Sequence, residues 1–265
     1  MVASELGVDR LLDPLKEPVL AVQEFCLLSG RALRNVFRSP HYGDDILLQM
    51  DTIGVGSIPI VTLVGAFSGA VMALQMAQAL RDYGQVARTG QIVSITLVRE
   101  LGPVLTSLMV AGRNASGMAS ELGSMKVTEQ IDAMRALGTD PVQKLVTPRM
   151  IATAFMLPLL TIISDFVGML GGWIIAGTVL DIGTKQYWNS AWQALTLARD
   201  VPEGLIKPFV YSFIISLIGC YYGLRTTGGT QGVGRATTQA VVVSIVFIFV
   251  VDLLITKIFV HQGGG

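Results

Sequence analysis

The chain has 265 residues, of which 51% are apolar and 14% are charged, and its mean hydropathy is +0.59. Soluble domains carry about 25% charged residues, so this composition excludes an ordinary soluble domain and favours lipid as the solvent. Lysine plus arginine equals aspartate plus glutamate at 19 each, so the bulk charge gives no support to nucleic-acid binding, and we expect no such partner.

Residues 18–38 predict a helix that is too polar to cross a bilayer. Arg31, Arg34 and Arg38 fall on one face at i, i+3 and i+7. A basic amphipathic helix of this kind lies in the membrane interface, and an ordinary solvated helix is the alternative. Its apolar surface comes from Leu27, Leu28, Leu33, Val36 and Phe37.

Five apolar runs follow, and about 20 residues suffice to cross the bilayer core. We predict membrane spans at residues 54–80, 89–112, 150–180, 208–224 and 236–260. The first contains a GxxxG pattern at residues 65–69, which is a weak signal for helix association. The sequence thus predicts an all-α integral membrane protein with five transmembrane helices, preceded by the interfacial helix, in a single domain.

The basic residues predict the orientation. With the N-terminus inside, the cytoplasmic segments are 1–51, 113–149 and 225–235, which carry five, five and two Lys or Arg, against seven in the rest of the chain. We therefore predict a cytoplasmic N-terminus and a C-terminus outside.

Three charged residues fall well inside the predicted spans: Arg99 and Glu100 in the second, and Asp165 in the third. A charge at mid-bilayer costs on the order of 3 kcal/mol even on permissive scales, so these side chains should face protein or a wet cavity. These residues either neutralise charges on other helices or line a transport path and its gate. The sequence does not decide between these two roles. Asp252 is a weaker case because it lies near the far end of the fifth span.

The polar insert at residues 113–149, between spans two and three, is the most informative segment. Thr128 can serve as a helix N-cap, and Gly138 followed by Pro141 supplies a stop, which predicts a short helix at residues 129–137. Such a helix suits docking into a cleft of a soluble partner, and it can equally lie on the protein's own cytoplasmic face. Its apolar stripe is Val127, Ile131, Met134 and Leu137, and its polar residues are Glu129, Gln130, Asp132 and Arg135.

Two other features carry no site. Residues 229–236 approach the P-loop spacing, but Arg235 replaces the lysine, Ala236 replaces the Mg²⁺-binding hydroxyl, and the segment joins two membrane spans. ATP hydrolysis would therefore have to come from another polypeptide. Cys26 and Cys220 lie in separate apolar contexts, and His41 and His261 have no ligand-type companions, so we expect no disulfide, no metal and no cofactor bound by this chain.

An ordered set of short motifs resembles the signature of the MlaE/YrbE permease family, which serves ABC transporters that work with MCE proteins. The set covers roughly residues 45–260 and is specific as a set. The chain is similar to actinobacterial YrbE subunits, which tend to place two different permeases side by side. The motifs are Arg99-Glu-Leu-Gly-Pro103, Ala111-Gly-Arg113, Glu121-Leu-Gly123, Thr128-Glu-Gln130, Asp140-Pro141, Thr147-Pro148-Arg149 and Gly234-Arg-Ala-Thr-Thr238.

The resemblance implies a permease dimer, built with a homologous or identical second permease subunit, on which two cytoplasmic ATPase subunits sit and bind ATP and Mg²⁺. It implies a multi-pass protein of the bacterial inner (cytoplasmic) membrane that is not itself an enzyme. The complex would move lipid of the phospholipid, fatty acid or sterol class between that membrane and MCE proteins. The insert helix, about residues 127–137, would be the coupling helix. The ATPase-coupling residues would be Glu129, Gln130, Asp132, Met134 and Arg135, and the candidates for the lipid path or its gating would be Arg99, Glu100 and Asp165.

A second interpretation is an ATP-independent secondary transporter or channel that uses Arg99, Glu100 and Asp165 as a charge relay. The absence of an inverted repeat in the sequence counts mildly against it. A membrane-embedded enzyme has no support, because the sequence offers neither a nucleophile–base pair nor a metal constellation. The lipid and the direction of transport stay open, because apolar cavities accept many shapes.

Overall fold

The computed structural model describes residues 5–40, 42–196 and 200–262, with side chains over 19–40, 42–196 and 200–261. These residues form helices and connecting turns and contain no strand, which confirms the predicted all-α class. The α-helices are α1 (Glu5–Val36), α2 (Gly43–Ile53), α3 (Ile58–Arg81), α4 (Thr89–Thr96), α5 (Gly102–Val110), α6 (Ser116–Val127), α7 (Gln130–Ala136), α8 (Thr147–Thr178), α9 (Thr184–Ala194), α10 (Asp200–Leu224) and α11 (Gly229–Gln262). Short 3₁₀ turns lie at Val55–Ser57 and Val86–Arg88, and wider π-helical turns lie at Leu97–Leu101, Ala111–Ala115 and Val142–Val146.

Five continuous helical rods in the described residues are long and apolar enough to cross a membrane, which confirms the predicted number of spans. Two π-helical turns join α4, α5 and α6 into one rod, and the 3₁₀ turn at Val55–Ser57 joins α2 and α3 into another. The rods are Gly43–Arg81, Val86–Val127, Val142–Thr178, Asp200–Leu224 and Gly229–His261.

The rods differ from the predicted spans mainly at their ends. The second rod continues as helix past Arg113 to Val127, and the third begins at Val142, so only residues 128–141 of the predicted insert lie between rods. The fourth rod begins at Asp200 instead of residue 208 because the charged residues of that segment find ion partners inside the protein. The third ends at Thr178, two residues earlier than predicted.

Glycines allow α3 and α8 to approach each other closely. A Cβ built on Gly69 would lie 1.8 Å from the carbonyl oxygen of Gly168, and one on Gly65 would lie 2.7 Å from that of Ser164. Helices in a bilayer gain little from the hydrophobic effect, so such close backbone contact supplies the dispersion that holds them together. The GxxxG pattern at residues 65–69 therefore packs two helices of this same chain.

α10 is the central helix of the bundle, and α11 lies at its edge. In α10, 67% of the residues in the most apolar stretch are buried, and the helix packs against α6, α8 and α11. The corresponding fraction in α11 is only 11%. Large side chains such as Phe247, Val250 and Leu253 are more than half exposed there. α11 therefore presents most of its apolar surface to lipid or to another protein.

α1 is longer than the predicted interfacial helix at residues 18–38, since it begins at Glu5 and ends at Val36, before Ser39-Pro40. Ala32 and Asn35 are buried against the bundle. Arg31 and Arg34 are exposed. Five large apolar side chains share this exposure: Val19, Leu20, Val22, Leu27 and Leu33. A helix with basic and apolar outward surfaces is typical of a membrane boundary, and its placement there stays a prediction.

α9 has no counterpart among the predicted elements. Its buried Tyr187 donates a hydrogen bond to the carbonyl of Met169 at 3.2 Å, and its Ala191 carbonyl accepts one from Ser94 at 3.2 Å. The rings of Trp188 and Trp192 stack 6.3 Å apart on the same helix. α9 thus closes the ends of α4 and α8 on the side of the bundle opposite to α7.

Candidate functional site

The second rod widens into a π-helical turn at Leu97–Leu101, and this turn carries Arg99 and Glu100. Such turns are rare and frequently occur at functional sites. Nη2 of Arg99 lies 2.5 Å from Oδ1 of Asp200, whose side chain is fully buried. The other oxygen of Asp200 accepts the backbone N–H of Thr196 at 2.6 Å. Arg99 therefore fastens the beginning of α10 to the second rod.

Lys207 lies at the centre of the charged residues, and its side chain is fully buried. Its Nζ is 2.7 Å from Oε2 of Glu100 and 3.3 Å from Oδ1 of Asp252. It also donates to the Arg99 carbonyl and to the Thr256 hydroxyl, both at 2.9 Å. An ammonium group has three protons, and a buried one is tolerated only when they are satisfied. Lys207 meets this condition entirely within the protein.

The carboxylates around Lys207 have further partners. Tyr211 donates its hydroxyl to Asp252 at 2.7 Å, and Thr256 donates to Glu100 at 3.2 Å. The side chain of Glu100 is 37% exposed, so this set of charged residues is buried at Lys207 and reaches the protein surface at Glu100. It joins the second, fourth and fifth rods and carries two cations and three carboxylates. We call it the ion-pair cluster: Arg99, Glu100, Asp200, Lys207, Tyr211, Asp252 and Thr256.

Asp165 lies apart from the ion-pair cluster. It is buried in α8, and within the described part of the chain its Oδ1 has no hydrogen-bond partner. It faces the second rod at Gly102, where an added Cβ would lie only 1.6 Å from that oxygen. The structure therefore brings Arg99 and Glu100 together through Lys207 and does not bring Asp165 to them.

An apolar groove of about 330 Å³ lies between α3 and the second rod. Leu101, the neighbour of Glu100 in the chain, lines it together with Leu105. Opposite them, Phe67 and Val71 are 64% and 50% exposed. Ser68, Met72 and Gln75 complete the α3 side. The groove is therefore mainly apolar, and Leu101 connects its wall to the π-helical turn that carries Glu100.

Sequence reasoning missed most of the cluster because it began the fourth span at residue 208 and so left Lys207 outside. A signal was present, since Glu203, Lys207 and Tyr211 recur at i, i+4 and i+8 and thus share one face of a helix. All three are buried. Asp252, predicted as a weak candidate, is a direct partner of Lys207.

α7 connects the second and third rods at one end of the bundle, and its start differs from the prediction. Thr128 is not an N-cap: its hydroxyl donates to the Ser124 carbonyl at 2.8 Å and closes the end of α6. Glu129 takes the N-cap position with φ of 60°, a left-handed conformation that costs a non-glycine residue about 1 kcal/mol. Gly138, with φ of 78°, supplies the predicted left-handed stop. The helix is therefore Gln130–Ala136, shorter than the predicted 127–137.

The exposed side of α7 carries the predicted polar residues. Ile131 is fully buried against the protein, while Leu137 is 84% exposed, so only part of the predicted apolar stripe packs inward. Asp132 bridges to Lys126 of α6 at 2.7 Å and to Arg135 at 3.2 Å. The hydrogen bond from Lys126 lowers the pKa of Asp132 below its ordinary value, so this bridge is ionised at neutral pH. Glu129 and Gln130 are exposed as well.

The described residues contain no group of three or more His, Cys, Asp or Glu placed to hold a metal ion. His41 lies outside the described residues. Cys220 is buried and Cys26 is exposed, and both are free thiols.

The chain has five membrane-spanning rods, an ion-pair cluster that joins three of them and an apolar groove along the second rod. These are the features of a polytopic membrane protein of the permease class. Residues 46–258 match the sequence pattern of the family described as permease MlaE. The chain therefore belongs to the MlaE permease family, as its motifs predicted.

Individual relatives agree with this assignment. The chain is 42% identical over 239 residues to a probable ABC transporter permease protein of Rickettsia felis, covering 90% of this chain and 92% of the relative. It is 41% identical over 238 residues to another from Synechocystis, covering 90% of each. It is 30% identical over 218 residues to the intermembrane phospholipid transport system permease protein MlaE of Haemophilus influenzae, covering 82% and 84%. The narrower similarity to actinobacterial YrbE subunits stays a prediction.

Proposed function

We propose that this chain is the membrane-spanning permease subunit of an ABC-type lipid transporter and that its cargo is phospholipid. The family membership carries the proposal, together with relatives named as ABC transporter permeases and one named for phospholipid transport. In this proposal a separate cytoplasmic ATPase binds ATP and Mg²⁺, and lipid moves between the bacterial inner membrane and MCE proteins.

The groove between α3 and the second rod is the proposed lipid path. Its walls at Phe67, Val71 and Leu105 are apolar and suit acyl chains, while Ser68 and Gln75 offer polar groups in the same groove. A phospholipid requires an apolar surface for its acyl chains and polar groups for its headgroup, and it requires them at the same site. A second permease subunit would enclose the groove, and the exposed apolar face of α11 is available for such contacts.

α7 is the proposed coupling helix. It is tied to α6 by the bridge between Lys126 and Asp132, and α6 continues through α5 to the π-helical turn at Leu97–Leu101. This single rod extends about 40 Å from Val127 to Leu101 at 1.5 Å per residue. A force on α7 would therefore reach Glu100 and the groove directly. Arg149 of α8 is also connected to this rod, because its guanidinium lies 2.8 Å from the carboxylate of Glu121 on α6.

The ion-pair cluster is the proposed gate. It holds three rods together by contacts that depend on the position of Glu100, so movement of the second rod would open or rearrange them. The predicted orientation, with the N-terminus inside, would place α7 in the cytoplasm and the cluster in the outer half of the membrane. Asp165, which lies apart from the cluster, would act by positioning the second rod at Gly102.

A photo-crosslinking experiment tests the ATPase contact. A crosslinking amino acid at Arg135 of α7 should capture an ATPase subunit in intact membranes, because this side chain is 59% exposed and faces away from the protein. The matched control places the same crosslinking amino acid at Arg81, which ends α3 on the side of the bundle opposite to α7. Equal capture at both positions, or capture at neither in a complex that retains the ATPase, would remove α7 from the proposed interface.

A secondary transporter using Arg99, Glu100 and Asp165 as a relay is the alternative. Lys207 connects Arg99 and Glu100, but Asp165 forms no ion pair among the described residues, so the relay lacks a continuous path. Liposomes that contain this chain alone separate the two functions. Lipid or ion movement driven by an ion gradient, with no ATPase present, would favour the alternative.

A further inference from the structure

We infer that a second lipid site, specific for anionic phospholipid headgroups, lies between α1, α10 and α11 on the α7 side of the membrane. Two adjoining cavities form it: a polar one of about 400 Å³ and an apolar one of about 410 Å³. Ala21, Tyr221 and Tyr222 line both, so the cavities share a wall. This site is separate from the groove between α3 and the second rod.

The apolar cavity fits an acyl chain in the leaflet on the α7 side. Phe25 of α1, Ile218 of α10 and Phe247 of α11 face into it from three helices. Arg235 at the polar cavity and Phe247 are twelve residues apart on α11, which is about 18 Å along the axis. Half of the bilayer core is about 15 Å thick, so the two cavities together match the depth of one leaflet.

The polar cavity supplies positive charge at the membrane boundary. Arg225 and Arg235 both line it, together with the hydroxyl-bearing Thr226 and Thr227. Arg225 is already paired with Glu24 at 3.3 Å and hydrogen-bonded to Tyr221. Arg235 has no carboxylate within 4 Å among the described residues, so the cavity keeps a net positive charge. Basic pockets between helices at this level bind anionic lipid headgroups.

The position of the polar cavity is fixed by neighbouring contacts. A Cβ added to Gly123 of α6 would lie 2.8 Å from the Thr226 hydroxyl, which places the α10–α11 connection beside the end of α6. α7 follows α6 directly, so the arginines lie on the α7 side. Tyr221 and Tyr222, between the two cavities, occupy the level at which tyrosine is enriched at membrane interfaces. The segment at residues 229–236, which resembles a P-loop in spacing only, thus contributes an anion-binding arginine.

Cys26 provides a reporter, because it lines the apolar cavity and is exposed while Cys220 is buried. A small fluorescent thiol probe on Cys26 is measured in the intact complex, in phosphatidylcholine nanodiscs without nucleotide. Phosphatidylglycerol with brominated acyl chains should quench it at a lower mole fraction than brominated phosphatidylcholine. Arg235→Gln should raise the half-quenching fraction of phosphatidylglycerol about fivefold, the effect expected for one basic residue near a lipid headgroup.

The control is Arg31→Gln, which removes one exposed charge from α1 outside the cavity and should leave the quenching preference unchanged. In the unlabelled complex, native mass spectrometry should find less phosphatidylglycerol retained after Arg235→Gln than after Arg31→Gln. Equal quenching by the two lipids, or no effect of Arg235→Gln, would overturn the headgroup site. Absence of quenching by either lipid would show that protein covers the cavity and would also overturn it.

The proposal rests on the membrane placement of the proposed function but not on transport. Selective quenching can be measured without ATP and without lipid transfer. A complex that fails to move lipid but keeps the phosphatidylglycerol preference would contradict the transport function and leave this site standing. A complex that transports lipid but shows no preference for phosphatidylglycerol would contradict this site and leave the transport function standing.

Discussion

Replacing Lys207 with methionine would remove the cation shared by Glu100 and Asp252 while keeping a side chain of similar length. The ammonium is fully buried and lies 2.7 Å and 3.3 Å from the two carboxylates. Its loss would leave both carboxylates without their cation in a site with little water. Asp252 would suffer more, because its side chain is 19% exposed against 37% for Glu100.

The expected loss of stability is about 3 kcal/mol at pH 7. Breaking a buried ion pair by removing one partner costs about 3–5 kcal/mol.

The assay is thermal unfolding of the purified complex, in parallel with lipid transfer. A triple variant, Lys207→Met with Glu100→Gln and Asp252→Asn, removes the stranded charges and should recover most of the lost stability. If the cluster is the gate, the triple variant stays defective in transfer although it is stable. Unchanged melting and transfer in Lys207→Met would refute the central role of Lys207, and full recovery of transfer in the triple variant would leave the cluster with a structural role only.

Three further variants test other parts of the molecule. Charge reversal on α7, Glu129→Lys with Arg135→Glu, should reduce recovery of the ATPase subunit with the complex, because it inverts the exposed charge pattern and keeps the buried Ile131; normal recovery would exclude these side chains from the interface. Gly69→Ala should lower the yield of folded protein by forcing α3 from α8 at a cost of about 3 kcal/mol, whereas Gly112→Ala, which meets nothing within 4 Å, should behave like the wild type in size-exclusion and melting assays. Met72→Trp should obstruct the groove and slow lipid transfer, while Leu74→Trp, also on α3 but outside the groove, should not; equal slowing would remove the groove from the lipid path.

The number of spans could be predicted because apolar composition over about 20 residues decides membrane insertion regardless of partners. The ends of the spans could not, because they depend on tertiary contacts. In the sequence, Lys207 looks like the polar end of a span. Its ion partners Glu100 and Asp252 lie more than 40 residues away on either side, so their contact with it is visible only in the structure. The same holds for Asp200, which looks like a loop residue and is the buried partner of Arg99.

Local capping rules were informative at one end of α7 and misleading at the other. Gly138 adopts the left-handed stop that its residue type predicted. Thr128 has the residue type of an N-cap, but the preceding helix α6 uses its hydroxyl, so Glu129 takes the strained position instead. α9 escaped prediction because its helical signal is carried mainly by Tyr187, Trp188 and Ala191, which become recognisable only when they pack on α4 and α8.

Phospholipid transfer by the reconstituted complex tests the proposed function most directly. The complex containing this chain and its ATPase is placed in liposomes with fluorescent phospholipid, and transfer to the soluble domain of an MCE protein is followed with and without ATP. Transfer or its directionality should depend on ATP hydrolysis and should be lost when the ATPase is omitted. Lipid movement that is unaffected by ATP, or that proceeds equally well with this chain alone, would contradict a partner-driven permease.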